Sequence, residues 1–270
     1  MTPPTHSFSV GFLQFDVQLG DVDANLFKVN TGLQEAVPES PAIIVLPEMW
    51  ATGFAYDRLP TLADRTPEVL STLAQLAGQH HIFLAGSLPE RDAGRNVIYN
   101  TLFFTGPDGV VGSYRKQHMF PLIEEDKHLT PGEYPVPIDT PLGRIAGLVC
   151  YDLRFPEIVR AQTARGANLL LVSAQWPLVR IDHWRTLLVA RAIENQIFVV
   201  AANRCGADSV AGGIIYGGHS LIVAPNGDIL YEASENEERA CVSIDSAVVD
   251  EVRARFNTAV SLPIISDTSY

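Results

Sequence analysis

Four short runs constrain this chain most: Ala42–Leu46, Ile145–Val149, Leu169–Val172 after Asn168, and Ile197–Ala202. Each is continuously apolar instead of alternating, as a strand reads when both of its faces are buried. Strands of that kind need a layer on each side. Two of the runs end on a side chain that can do chemistry, Pro47-Glu48 after the first and Cys150 after the second.

The remaining segments supply the layers. Ser9–Phe15 reads as a first strand, and Asp23–Glu35 as a helix with Asp23 as N-cap. Thr66-Pro67-Glu68 opens a second helix, with Leu70, Leu73, Ala74 and Ala77 along one face. Ile82–Leu88 is a strand, and Thr105-Gly106-Pro107-Asp108 turns a hairpin between Asn96–Phe104 and Gly109–Tyr114. Helices are predicted from about Pro156 to Arg165 and over Asp182–Asn195. Strands follow around Ser220–Val223, Ile229–Tyr231 and Ala240–Ile244, and Asp245 caps a last helix through Arg255. Helices alternate with strands while hairpins intrude, so two mixed sheets covered by helices satisfy both signals. No repeat or composition break divides residues 1–270, which are expected to form one domain with short mobile ends at Met1–Thr5 and Ser266–Tyr270.

A formal charge of −12 disfavours nucleic acid as a partner. No apolar run approaches a membrane span and no signal-peptide pattern opens the chain, so no membrane partner and a cytoplasmic location are expected. Cys150, Cys205 and Cys241 are an odd set without CxxC spacing, which reads as free thiols. The histidines show no ligand spacing, so no metal is implied, and Gly212-Gly213 and Gly217-Gly218 make no nucleotide fingerprint. No cofactor is expected.

Gly147–Glu157 reads as a strand-to-helix corner carrying Cys150 at the open end of a sheet, where backbone N–H groups can receive negative charge. A cysteine there is a candidate nucleophile or a small buried hydrophobe. Glu48 and Lys116 also sit at strand ends, and the long charged loop Arg115–His128 is of a length that usually serves function. A thiol, a carboxylate that moves protons and a fixed ammonium are complementary. Taken singly, Glu48 also reads as a solvated loop residue and Lys116 as part of a surface charge cluster. Cys205 and Cys241 read as structural, and His183 or His219 beside Cys150 would suggest a Cys-His protease.

Leu46–Trp50, Tyr114–Phe120 and Gly147–Glu157 resemble, in order and position, the three signature regions of the nitrilase superfamily of carbon–nitrogen hydrolases, and the likeness extends through Arg191–Gln196 and Gly218-His219-Ser220. The resemblance implies an α/β fold, a four-layer αββα sandwich of two mixed β-sheets flanked by helices, and at least a homodimer. It implies a triad of Glu48, Lys116 and Cys150, with Glu125 as a second glutamate for which Glu124 competes. His219 becomes a supporting residue, and the N–H of Tyr151 joins Lys116 in holding an oxyanion.

Within that superfamily, Ala174-Gln175-Trp176-Pro177 and Asp182-His183-Trp184-Arg185 are similar to the ω-amidases, which hydrolyse the terminal amide of 2-oxo acids. The candidate substrate-binding residues are Tyr151, Trp50, Phe120, Ala174, Trp176 and Arg154. Met49 is a further candidate wall, and Arg180, Arg185 and Arg204 are further guanidiniums that could meet a substrate carboxylate. Arg154 could instead be structural, paired with an acid. A different small amide, of deaminated glutathione or an N-carbamoyl compound, is the alternative substrate; a non-catalytic protein retaining the fold is the alternative class.

Overall fold

The computed structural model describes residues 7–36, 42–208, 210 and 213–258. Gly212 and the chain ends expected to be mobile lie outside the described residues. In chain order the elements are β1 (Ser7–Gln14), α1 (Val22–Ala36), β2 (Ala42–Val45), α2 (Leu59–Asp64), α3 (Thr66–His80), β3 (Phe83–Asp92), β4 (Val97–Gly106), β5 (Gly109–Arg115), α4 (Glu125–His128), β6 (Ile138–Thr140) and β7 (Gly143–Val149). They continue with α5 (Pro156–Thr163), β8 (Leu169–Ala174), α6 (Ile181–Asn195), β9 (Phe198–Asn203), β10 (Cys205–Asp208), β11 (Ile214–Gly217), β12 (Leu221–Val223), β13 (Ile229–Glu232), β14 (Glu238–Asp245) and α7 (Ala247–Arg255).

Two six-stranded mixed sheets, β14-β1-β2-β3-β4-β5 and β13-β12-β9-β8-β7-β6, face each other, and β10 and β11 form a separate hairpin. Each large sheet holds three adjacent parallel strands, β1-β2-β3 in one and β7-β8-β9 in the other. Each is extended by one antiparallel strand on one side and two on the other. The sequence carries no repeat, yet the two sheets repeat one another's pattern of strand directions.

Side-chain alternation shows why the apolar runs are unbroken. From β2 and the residue after it, Ile43 and Val45 enter the core between the sheets, while Ile44 and Leu46 pack under the helices with Val29, Leu33, Val69 and Leu73. Both faces of that strand are therefore dry, and each such side chain contributes about 1.5–3 kcal/mol by leaving water. The C-terminal ends of parallel strands are where open sheets present loops to ligands, and β2, β7 and β8 deliver the turns that build the site.

Several boundaries differ from the sequence reading. Asp21, not Asp23, caps α1: its carboxylate accepts the Ala24 N–H at 3.0 Å, while Asp23 in the first turn pairs with Arg65. The short α2, the β10–β11 hairpin and β6 carry no strong periodicity and were not expected. Strand β14 crosses over to pair antiparallel with β1, a contact that local sequence does not encode. Among the described residues no helix is long and apolar enough to cross a membrane.

Candidate active site

Two sharp corners place the reactive groups. After β2 the chain turns through Pro47 and Glu48 into Met49, whose φ of 45° lies in the left-handed region. After β7 it turns at Cys150, φ 44°, into a short 3-10 helix, Cys150–Arg154. A side-chain-bearing residue at such an angle carries strain that the surrounding fold must hold, and here the strain turns Glu48 and Cys150 out of their strands toward one another. Gly147 lets the two sheets approach closely ahead of the second corner, because a Cβ there would lie 2.9 Å from Cβ of Tyr114 on the facing sheet.

Lys116 follows β5, its N–H bonded to the Asn100 carbonyl and its carbonyl to the Gly132 N–H. Its ammonium lies 2.7 Å from Glu48 Oε1 and 2.8 and 2.7 Å from the two oxygens of Glu125. Glu48 and Lys116 are each 1% exposed and Glu125 0%. The sequence's competitor resolves by geometry: Glu124, at φ 59°, points outward and pairs with Lys127, while Glu125 opens α4 facing inward and accepts the Phe120 N–H at 2.8 Å. The Glu48 carboxylate is further held by Asn100 Nδ2 at 2.8 Å on Oε1 and by the Gln175 N–H at 3.1 Å on Oε2.

Burial governs the proton balance. It pushes the Cys150 thiol well above the ordinary cysteine value, and the Glu48 charge adds to this, while Lys116 and the Gln175 N–H pull the other way. Cys150 therefore rests as a neutral thiol, which could attack an electrophile only with the help of a base. Burial also works against the Lys116 ammonium, but Glu125, Glu48 and Cys150 outweigh it and hold its pKa well above the lysine norm. Burial raises the Glu125 carboxyl, opposed by Lys116 and reinforced by Glu48.

A buried carboxylate absent from the sequence reading ties the corners together. Asp152, 0% exposed, accepts from Tyr114 OH at 2.8 Å and the His118 N–H at 2.8 Å, and lies 3.0 Å from His118 Nδ1. It therefore anchors the segment carrying Lys116 to the turn carrying Cys150. Gln175, another residue the sequence did not single out, donates its amide to the Glu48 carbonyl at 2.7 Å and is itself held by Arg204 at 2.8 Å. Asn100 carries no distinct signal in the sequence, since β4 also buries the polar Thr101 and Thr105.

A cavity of about 400 Å³ opens over Cys150, with Phe120, Tyr151, Arg154, Trp176, Arg180 and His183 among its walls. Of the six residues expected to bind substrate, Tyr151, Phe120, Trp176 and Arg154 line this cavity, and Trp50 and Ala174 do not. Trp50 is fully buried in the core under the outer helices, because the left-handed Met49 swings it away from the opening; Met49 itself is buried too. Ala174 is buried behind the site, where its carbonyl accepts the N–H groups of Glu48 and Arg204.

The guanidiniums sort by partner. Arg204 is 1% exposed and consumed by Asp208, Asp16 and the Val17 carbonyl, so it is no substrate anchor. Arg185 pairs with Glu232 away from the cavity. Arg154 was allowed an acid partner and has none among the described residues: it lies over the Trp176 ring at 4.7 Å and 3.2 Å from His183 Nδ1. Arg180 likewise bonds only the Val179 carbonyl through its side chain. His183 is engaged with Arg154, and His219 Nδ1 lies 3.3 Å from Glu232, so the structure gives neither histidine a Cys-His pairing.

Comparison with known proteins gives the family. The chain is 36% identical over 263 residues to the 2-oxoglutaramate amidase of Bacillus subtilis, covering 96% of this chain and 97% of the relative. A CN-hydrolase superfamily protein from Xanthomonas campestris, solved with an arsenic adduct in its active site, superposes with a TM-score of 0.86 at 29% identity, covering 94% of this chain and 96% of that one. An amidase mutant from Nesterenkonia sp. AN1, solved after Michael addition of acrylamide at its active-site cysteine, gives a TM-score of 0.78 at 28% identity, covering 92% and 97%. Residues 9–254 match the carbon-nitrogen hydrolase family. With two facing mixed sheets and a buried Glu-Lys-Glu cluster beside a cysteine corner, the chain belongs to the carbon–nitrogen hydrolases, enzymes that cleave non-peptide amide bonds.

Proposed function

We propose that the protein is an ω-amidase, releasing ammonia from the terminal amide of a small 2-oxo acid such as 2-oxoglutaramate. The observation that carries this reading is the pair Arg154 and Arg180, two guanidiniums without acid partners among the described residues, on the wall of the Cys150 cavity of a chain with net charge −12. An anionic acyl group would find local positive charge there, against the negative balance of the whole chain. Phe120, Tyr151 and Trp176 would cover its carbon chain. Similarity to the Bacillus amidase supports the same choice.

The chemistry follows from the proton balance. Glu48 takes the Cys150 proton as sulfur attacks the amide carbon, and the oxyanion is met by Lys116 and the N–H of Tyr151. All of the Lys116 hydrogen bonds from Nζ now go to carboxylates, so one contact to Glu125 must loosen for a proton to reach the oxyanion. Glu48 then passes its proton to the nitrogen, the C–N bond breaks and ammonia leaves a thioester on Cys150. Water, deprotonated by Glu48, attacks that thioester and frees the acid, and the thiol regains its proton. General acid–base help is worth ~10²–10⁴ in rate, and an oxyanion donor about 10²–10³. With three free cysteines, we place the enzyme in the reducing cytoplasm.

The test is ammonia release from 2-oxoglutaramate by the wild type, with Cys150→Ala as control. Turnover confined to N-carbamoyl compounds would overturn the ω-amidase reading.

A further inference from the structure

Asn100 sits in β4, fully buried, next to Thr101 and in a strand whose Leu102 and Phe104 enter the core between the sheets. Its side-chain nitrogen is shared between the two carboxylates of the site, 2.8 Å from Glu48 Oε1 and 3.1 Å from Glu125 Oε1. Its side-chain oxygen is buried without a partner. That orientation is the one the surroundings require, since the reversed amide would aim an acceptor at two carboxylates. A buried strand position normally takes an apolar residue. An asparagine that leaves its own oxygen unsatisfied needs an offsetting role, and its two donations are that role.

The two oxygens of Glu48 are used differently. Oε1 accepts from both Lys116 and Asn100, while Oε2 accepts only the more distant Gln175 N–H at 3.1 Å. The Glu48 charge acts directly on the Cys150 thiol, and Oε2 is the oxygen with capacity left for its proton. We propose that Asn100 is a positioning residue for the general base: by occupying Oε1 of Glu48 and tying it to Oε1 of Glu125, it presents Oε2 to the thiol and favours the ionised carboxylate. The proposal rests on Glu48 serving as base to Cys150 and is independent of which acyl group is transferred. The titratable groups facing Glu48 are Lys116 at the end of β5, Glu125 on α4, Cys150 after β7, and the phenols of Tyr56 and Tyr216. Asn100 is the neutral side-chain donor among them.

The experiment reads Cys150 directly, by the pH dependence of its alkylation with iodoacetamide followed by mass spectrometry, so that it needs no knowledge of the substrate. Asn100→Leu keeps the branched shape and removes the donor together with the unpaired oxygen; Asn100→Ala removes both and leaves space. In each variant alkylation at neutral pH is expected to slow about 10-fold or more, and its acidic limb to move up by about one pH unit, since a hydrogen bond to the ionised form is lost. On any amide that the wild type turns over, kcat should fall with the same shift while KM changes little. A folded variant with the wild-type limb and rate would overturn the proposal. If both variants fail to fold, the wild type still decides: the side-chain amide NMR signals of Asn100 are expected to titrate with the midpoint of the alkylation limb, and signals unmoved through that limb would overturn it.

Discussion

The ammonium of Lys116 and the carboxylate of Glu48 are 2.7 Å apart with each side chain 1% exposed, and Glu125 closes on the same nitrogen from the other side. Taking away the cation strands two carboxylates without water. Lys116→Met is expected to cost about 3–5 kcal/mol of stability at neutral pH, read as a drop in the urea midpoint. Glu125, whose carboxyl burial already raises, would lose the ammonium that opposes the rise, so the stability it contributes is present at low pH and lost as pH rises. The deficit should accordingly shrink toward pH values below the ordinary carboxyl range.

Cys150 supplies a second pH signature. Its folded pKa stands well above the ordinary 9.0, which means that the folded state holds a proton the unfolded state releases. Stability from this group is complete below about pH 9 and falls at higher pH, by at most ~1.4 kcal/mol per unit, until the folded thiol ionises. Wild type and Cys150→Ser should therefore show parallel denaturation midpoints up to about pH 8 and diverge above it, the wild type losing more.

Asp152 tests whether the two corners must be held in register. Asp152→Ala leaves the buried Tyr114 hydroxyl without its acceptor, at about 1–3 kcal/mol, and frees the half-buried His118 N–H at a smaller cost. Unfolding experiments should show that loss, and kcat should fall because Lys116 and Cys150 are no longer tied together. Asp152→Asn, which keeps the shape and one acceptor, should fall between.

Arg154 and Arg180 separate binding from chemistry. Replacing either by alanine is expected to raise KM for 2-oxoglutaramate by about 10–100-fold, the loss of a charge-assisted hydrogen bond, with kcat within a few-fold of wild type. The hydrolysis of an uncharged amide should be unaffected. Equal losses on charged and uncharged amides would show that these side chains act on the fold of the cavity instead.

What the sequence could and could not disclose follows from how far apart the partners lie. Glu48 and Cys150 stand at the ends of apolar runs visible in the sequence, Lys116 follows the second strand of a hairpin, and the residues flanking all three carry a family resemblance. Arg204 looked like a free guanidinium because two of its partners, Asp16 and Val17, come from the opposite end of the chain. Trp50 looked like a pocket wall because the left-handed turn at Met49, which buries it, has no sequence signal in a non-glycine residue. Asn100 and Asp152 share a related reason: a single polar residue in a buried segment acquires meaning only when the fold brings its partners, Glu48 and Glu125 to the first and Tyr114 and His118 to the second. The β14–β1 pairing, across almost the whole chain, is legible only in three dimensions.

The central claim is that the amide's acyl group passes through a thioester on Cys150. Rapid-quench mixing of the enzyme with 2-oxoglutaramate, followed by intact-protein and peptide mass spectrometry, measures it directly. The expected result is a transient adduct of the acyl group, without its nitrogen, on the peptide containing Cys150, formed together with a burst of ammonia and abolished in Cys150→Ala. Ammonia released at the wild-type rate by Cys150→Ala, with no adduct on the wild type at any quench time, would contradict it.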